Sequence, residues 1–446
     1  MKRKILAASG AIAVAAVALT GCSGGAQAGG GDSCTNKIVN KDATQVSVWA
    51  WYPAFEEVVD LFNENHDDVQ ICWTNAGQGN DEYTKFSTSI ESGSGAPDVI
   101  MLEAEVLSSF AIRDALVDLS EYGADEVKDD YTEGAWKDVS SGDAVYAIPV
   151  DGGPMGMLYR QDILDEYGIA APTTWDEFAA AAQKLKDAGA PGVLANFPPN
   201  GRAFTQALFA QAGSTPFEYD SANPLEIGID VNDQASKDVL SFWQGLTDSG
   251  AVAVDEAFTA DYNTKLVDGT YAIYLAAAWG PGYLQGLEGA QEGAVWRAAP
   301  LPQWDAANLV QVNWGGSTFA VTEQAKDKEA AAVVAKEIFG TEEAWKIGIE
   351  KAALFPLWKP ILESDYFRDL EYPFFGGQQI NKDVFLQAAA GYTGFTFSPF
   401  QNYAYDQLQE EVTAVVVDKS KDPSTALDDL QSSLEKYATE QGFELK

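Results

Sequence analysis

The groups able to do chemistry in this chain are unevenly supplied. Among 446 residues there are 67 acidic and 28 basic side chains, three cysteines and one histidine, for a net charge of −39. With His66 alone, no histidine-based triad or multi-histidine metal site is expected, and no cofactor. His66 lies in the polar run Asn-Glu-Asn-His-Asp-Asp and reads as a solvated surface residue. So large a negative charge argues against nucleic acid or an anionic membrane surface as partner, because both are held by basic patches. What remains plentiful is carboxylates and flat rings, 12% of the residues being aromatic. Carboxylates accept hydrogen bonds, and rings cover weakly apolar faces at low entropy cost. The candidates at the ends of expected strands are Trp51, Glu103, Asp151, Trp279 and Trp314. They describe a ligand that is neutral or cationic.

Such groups need a scaffold, and the length is too great for one ordinary core, so two domains are expected. Strand-like and helix-like segments alternate, which predicts an α/β fold. Gln45–Ala50 alternates as a strand. Phe55, Val58, Val59 and Phe62 then recur with helical period. Val69–Trp73 is the next strand, 81–92 a helix and 98–102 a short buried strand. Thr174-Trp-Asp-Glu177 is a capping box opening a helix that stops at Gly189. A further helix covers 327–339. The last opens at Asp422-Pro423, with Leu427, Leu430, Leu434 and Tyr437 facing the core.

The first residues have a separate task. Lys2, Arg3 and Lys4 precede an apolar run, Ile5–Leu19, too short to span a bilayer comfortably. Leu19-Thr-Gly-Cys22 resembles a bacterial lipobox. That resemblance implies a signal peptide over 1–21, cleavage before Cys22 and a lipid on its sulfur. An ordinary secretory signal or a short membrane anchor is the alternative. Residues 22–35 then form a Gly-rich tether. Cys34 and Cys72 remain, and an exported compartment permits a disulfide between them. Two free thiols are the alternative, but no other cysteine competes and one histidine is too few for a metal site.

Several longer segments resemble, in order, those of extracellular solute-binding proteins of the maltose-binding type. They are Tyr83–Leu119 with its Pro97-Asp98-hydrophobic strand, Tyr146–Tyr159, Pro172–Phe178, Asp268–Tyr274 through Trp279-Gly-Pro, and Trp314–Ser317 with Thr341–Trp345. The resemblance implies a two-lobe periplasmic-binding-protein-like fold with hinge crossings and a central ligand cleft. One lobe would comprise 36–149 and 302–345, the other 150–301 and 346–446. It also implies a carbohydrate receptor, for an oligosaccharide in preference to a monosaccharide, that serves the permease of an ABC importer as a monomer. With the lipobox it places the protein on the outer face of a Gram-positive cell membrane, bound to it through the lipid anchor only. Pro149–Gly153 is the expected first hinge, its Asp-Gly-Gly able to adopt unusual backbone angles.

Each candidate has a plainer reading. Trp49 and Trp51 share a strand face, and Trp49 is assigned to the core, Trp51 to the cleft. Glu103 comes straight off its strand and is preferred to Glu105, though either could be a solvated loop charge. Asp151 sits at the first crossing as a ligand contact or a turn former. Trp279 is the stacking aromatic that the resemblance implies, against a loop-covering ring. Trp314 adjoins two glycines and packs beneath the hinge or meets ligand. Phe355 and Trp358 line the cleft or seal the second lobe. Of the aromatics in 392–405, Tyr392, Phe395, Phe397 and Tyr403, one or two reach the ligand. Asn200 and Arg202 read as a surface turn. Two other functions compete: a glycoside hydrolase using paired carboxylates such as Glu103 and Asp151, and a receptor for cationic peptides.

Overall fold

The computed structural model describes residues 34–220, 223–290 and 293–446. The signal segment 1–21, Cys22 and all but the last two residues of the tether lie outside them. Among the described residues, seven strands form the main sheet: β1 (Thr44–Trp49), β2 (Val69–Thr74), β3 (Val99–Glu103), β4 (Ile148–Arg160), β5 (Ile273–Ala277), β6 (Trp296–Pro300) and β7 (Asn313–Val321). The order is β6-β4-β7-β3-β1-β2, and β5 also pairs with β4. β1 is parallel to β2 and β3. The helices α1 (Phe55–Asn65) and α2 (Asn80–Ser92) make the connections that parallel pairing requires. The expected stripe on α1 is buried: Phe55, Val58, Val59 and Phe62.

β4 joins the two parts of the sheet. Its first half pairs with β7, and its second half runs antiparallel between β5 and β6. Side chains leave opposite faces of a strand alternately. Met155, Met157, Ile273 and Leu275 therefore enter one core with Trp175, Trp243 and Leu427, while Leu158, Tyr274 and Ala276 join another with Val46, Phe55, Phe319 and Trp345.

The glycines in β4 act differently from expectation. Neither Gly152 nor Gly153 has a left-handed backbone; β4 stays extended through both. They are required by close approach: a Cβ on Gly153 would lie 2.0 Å from the Trp314 carbonyl oxygen, and one on Gly152 2.7 Å from Leu357 Cδ2. A third segment lies alongside, Gly152 N donating to Phe355 O at 2.9 Å and Leu357 N to Val150 O at 2.9 Å.

Later helices include α3 (Ala104–Ala111), α4 (Trp175–Asp187), α5 (Arg202–Gln211), α6 (Ala260–Val267), α7 (Gly280–Gly286), α8 (Lys328–Glu337), α9 (Gln401–Val416) and α10 (Pro423–Glu440). In the capping box on α4, Thr174 Oγ1 accepts from Glu177 N at 3.2 Å, and the Glu177 carboxylate accepts from Thr173 N and Oγ1. Asp422 caps α10 as expected, accepting from Ser424 N and Thr425 N at 3.1 Å each. Cys34 and Cys72 form a disulfide, with Cα atoms 4.9 Å apart. His66 is more constrained than a solvated surface residue. Its ring stacks on Phe62 at 3.8 Å, and its nitrogens meet Phe62 O at 2.8 Å and Glu337 Oε2 at 3.0 Å.

Candidate functional site

The apolar run of β3 ends in Glu103, and β7 brings Ser317 opposite it. The same Ser317 is opposite Asp151 of β4. Directly paired residues share a sheet face, so the register alone sets two carboxylates on one row, with one strand between them. Each is held by a tyrosine: the Tyr83 hydroxyl donates to Glu103 Oε2 at 2.9 Å, and the Tyr52 hydroxyl to Asp151 Oδ1 at 2.8 Å. Loss of water raises both carboxyls above the ordinary carboxylate range. The charge of Asp151 pushes Glu103 further up, while hydrogen bonds from Tyr52 and Ser317 draw Asp151 back.

An aromatic wall faces this row. Trp279 follows β5, and its indole Nε1 donates to Trp314 O at 3.1 Å. The two indoles meet edge to face, centroids 4.9 Å apart at 72°. Tyr283 of α7 and Phe258 extend the wall, Phe258 lying 6.1 Å from Trp279 and 5.4 Å from Tyr283. Gly315 keeps the floor open between wall and acid. Its φ is +73°, and a Cβ there would sit 3.8 Å from both Glu103 Oε1 and Trp279 Nε1. Trp51 stands on the opposite side, edge-on to Tyr83 at 6.0 Å. The resulting cleft has a volume of about 1080 Å³ and is lined by Trp51, Glu103, Asp151, Phe258, Trp279 and Tyr283 among others. Small-molecule pockets commonly hold roughly 300–1,000 Å³.

The other expected residues lie elsewhere. Trp314 is not among the residues lining this cleft; it packs on Phe204 at 5.2 Å, behind Trp279. Trp358 is also outside the lining, its backbone bridged to Tyr131. Phe355 is buried in the core, and Tyr403 stacks on Tyr437 at 3.7 Å. Tyr392, Phe395 and Phe397 form a separate group around Asp138. The Tyr392 hydroxyl donates to Asp138 Oδ2 and Phe395 N to Oδ1, both at 2.9 Å. Burial raises the Asp138 carboxyl to about 7. These three aromatics line a small cavity of about 50 Å³ with Glu105 and Tyr405, which touches Asp151 and Ser317 from another direction.

Glu105 and Glu103 are thereby separated. Glu105 accepts from the Tyr405 hydroxyl at 3.1 Å, and burial followed by the charge of Glu103 pushes its carboxyl up to about 8. Arg202 is not a residue of a mere surface turn. It opens α5, pairs with Asp406, covers the Tyr405 ring at 5.6 Å and lowers the pKa of both Glu103 and Glu105. Asn200 is a clamp on the backbone of Ala257. Sequence reasoning missed Tyr52, Tyr83, Phe258, Tyr283 and Ser317. Only the register of strands distant in sequence brings Ser317 between the acids, and nothing in a single sequence announces it.

Residues 49–345 match the family of bacterial extracellular solute-binding proteins. The chain belongs to that family. This solute-binding protein also shares 31% identity over 192 residues with an uncharacterized lipoprotein from the oleD 5′ region of Streptomyces antibioticus, covering 41% of this chain and 40% of that one. It is 23% identical over 360 residues to a lactose-binding protein of Rhizobium radiobacter, covering 76% and 80% of the two chains. A solved ABC transporter-associated binding protein from B. animalis subsp. lactis Bl-04, in complex with β-1,6-galactobiose, superposes with a TM-score of 0.80. That pair is 28% identical, with 91% of this chain and 100% of the other covered. The expected two-lobe α/β binding-protein fold is the fold of this solute-binding protein.

Proposed function

We propose that this protein is the receptor of an ABC importer and captures a neutral oligosaccharide in the cleft between its lobes. The observation that carries the reading is the acidic row facing the aromatic wall: Glu103 and Asp151 on either side of Ser317, with Trp279 across Gly315. Sugar hydroxyls would donate to the carboxylates, and the ring faces would lie on Trp279 and Trp51. Sugars named for a relative and for a solved neighbour, lactose and β-1,6-galactobiose, support the class of ligand.

In this reading lobe 1 is 36–149 with 302–345 and lobe 2 is 150–301 with 346–446, and β4 carries the first crossing. Sugar favours closure because it touches both lobes, and no bond is cut. Tyr392, Phe395 and Phe397 extend the site beyond Asp151 for a longer saccharide, while Trp314 supports Trp279 from behind. The protein is held as a monomer at the outer face of the membrane by a lipid on Cys22, within reach of its permease. The lipoprotein relative supports the anchor. The test is calorimetry of residues 34–446 against a panel of neutral oligosaccharides, with reducing ends assayed in parallel. Tight binding without new reducing ends is expected; accumulating fragments would make the protein a hydrolase, and selective binding of basic peptides would make it a peptide receptor.

A further inference from the structure

Phe258 is an exposed phenyl ring in a conformation that costs free energy. It is 49% exposed, and its φ of 66° lies in the left-handed region, which disfavours residues bearing a Cβ. Such strain persists only where the surroundings over-determine the backbone. They do so here. Asn200 makes two bonds to Ala257, Oδ1 accepting from its N at 2.9 Å and Nδ2 donating to its O at 3.2 Å. Asn196 does the same to Asp255, at 2.7 Å and 2.9 Å. On the other side, Thr259 Oγ1 caps α6 by accepting from Tyr262 N at 3.2 Å. The turn is clamped immediately before and after the strained residue.

The clamp aims the ring at the cleft. Phe258 lies 6.1 Å from Trp279, 5.4 Å from Tyr283 and 6.1 Å from Trp314, and it lines the same cavity as Glu103 and Asp151. A ring recruited for core packing alone would be buried, and a surface ring without a task would not need a double amide clamp. We propose that Phe258 is a second sugar-contacting platform at the rim of the cleft, beside Trp279, and that Asn200 is the positioning residue that holds it there. This rests on the saccharide reading above. The two rings meet at an interplanar angle of 48°, so together they form a bent wall. Such a wall suits a saccharide that kinks between adjacent units better than a flat, extended one.

The experiment compares the unaltered protein with Phe258→Ala, Phe258→Gly, Phe258→Trp and Asn200→Ala. Calorimetry uses whichever of β-1,6-galactobiose, lactose and an arabinooligosaccharide the unaltered protein binds best. Removing the ring in Phe258→Ala or Phe258→Gly weakens binding by about tenfold, and Phe258→Trp restores most of it. Phe258→Gly melts above Phe258→Ala, because glycine relieves the left-handed backbone while alanine keeps it. Asn200→Ala weakens binding severalfold in the presence of the ring and has no further effect in the Phe258→Gly background, a coupling that a purely structural role would not produce. If the unaltered protein binds sugar and both ring deletions bind as tightly, the platform is refuted while the saccharide reading stands. If the unaltered protein binds none of the three sugars, the saccharide reading and the platform fall together.

Discussion

Glu103 and Asp151 stand on one row of the sheet, each paired across to Ser317 and each tied to a tyrosine hydroxyl. Residues 48 positions apart are brought there by β7, which inserts between β3 and β4. Hydrogen bonds to charged acceptors contribute about 1.5–3 kcal/mol each. Glu103→Ala should therefore weaken saccharide binding by roughly ten- to a hundredfold in calorimetry, with the melting temperature little changed. Unaltered affinity would remove Glu103 from the site.

Trp279→Ala removes the wall ring that faces Glu103 across Gly315, together with its bond to Trp314 O. Burying an aromatic face is worth about 2 kcal/mol, so affinity should fall by roughly thirtyfold. Trp314→Ala should act mainly on stability, because that ring packs on Phe204 behind the wall. The contrast between the two variants, read by calorimetry and thermal melting, checks which indole meets ligand.

Glu105 gives a pH dependence with a definite sign. Its ordinary value is 4.5, and in the folded protein it is pushed up to about 8. The folded state holds this proton where the unfolded state has released it. The contribution to stability is therefore fully present below about pH 4.5 and is lost as pH climbs through about 8. Asp138, at about 7, acts in the same direction. The melting temperature should fall across this interval, and Glu105→Gln should make the fall shallower. An equal slope in both proteins would show that Glu105 is not the group responsible.

The disulfide closes a sequence separation of 38 residues. A loop of that length corresponds to on the order of 3–4 kcal/mol of stabilisation in the chain-entropy account. Replacing both cysteines by serine should lower the urea midpoint accordingly and leave saccharide affinity unchanged, since neither cysteine lines the cleft. A matching loss of affinity would tie the bridge to binding.

Much of the scaffold was legible because its elements obey simple periods. The Phe55–Phe62 stripe, the buried run ending at Glu103 and the Asp422 cap all appear where their spacing put them. Glu103, Asp151, Trp51 and Trp279 were legible for a related reason: each ends or adjoins a strand, where a side chain leaves the core for the cleft. Trp358 stayed open between two readings because a tryptophan beside a proline looks the same whether it lines a cleft or covers a core. Gly152 and Gly153 were misread because sequence shows that a Cβ is missing, not whether dihedral freedom or close approach requires it. Phe258 was invisible: its importance lies in one backbone angle and in two asparagines some sixty residues away, Asn196 and Asn200.

The segment after Cys34 has a bearing on whether copies of the protein join edge to edge. Thr35 N donates to Trp73 O at 2.8 Å, Asn36 bonds both Ile71 O and Trp73 N at 2.8 Å, and Gln70 Oε1 takes Val39 N at 2.8 Å. β2 is the last strand of the sheet, and an open last strand is a template on which a neighbouring molecule could zip. Here residues 35–39 serve as a selvedge, stitched down by sulfur at Cys34. Unpicking that stitch with a reductant would fray the hem, and clumping in concentrated solution would be its first visible sign.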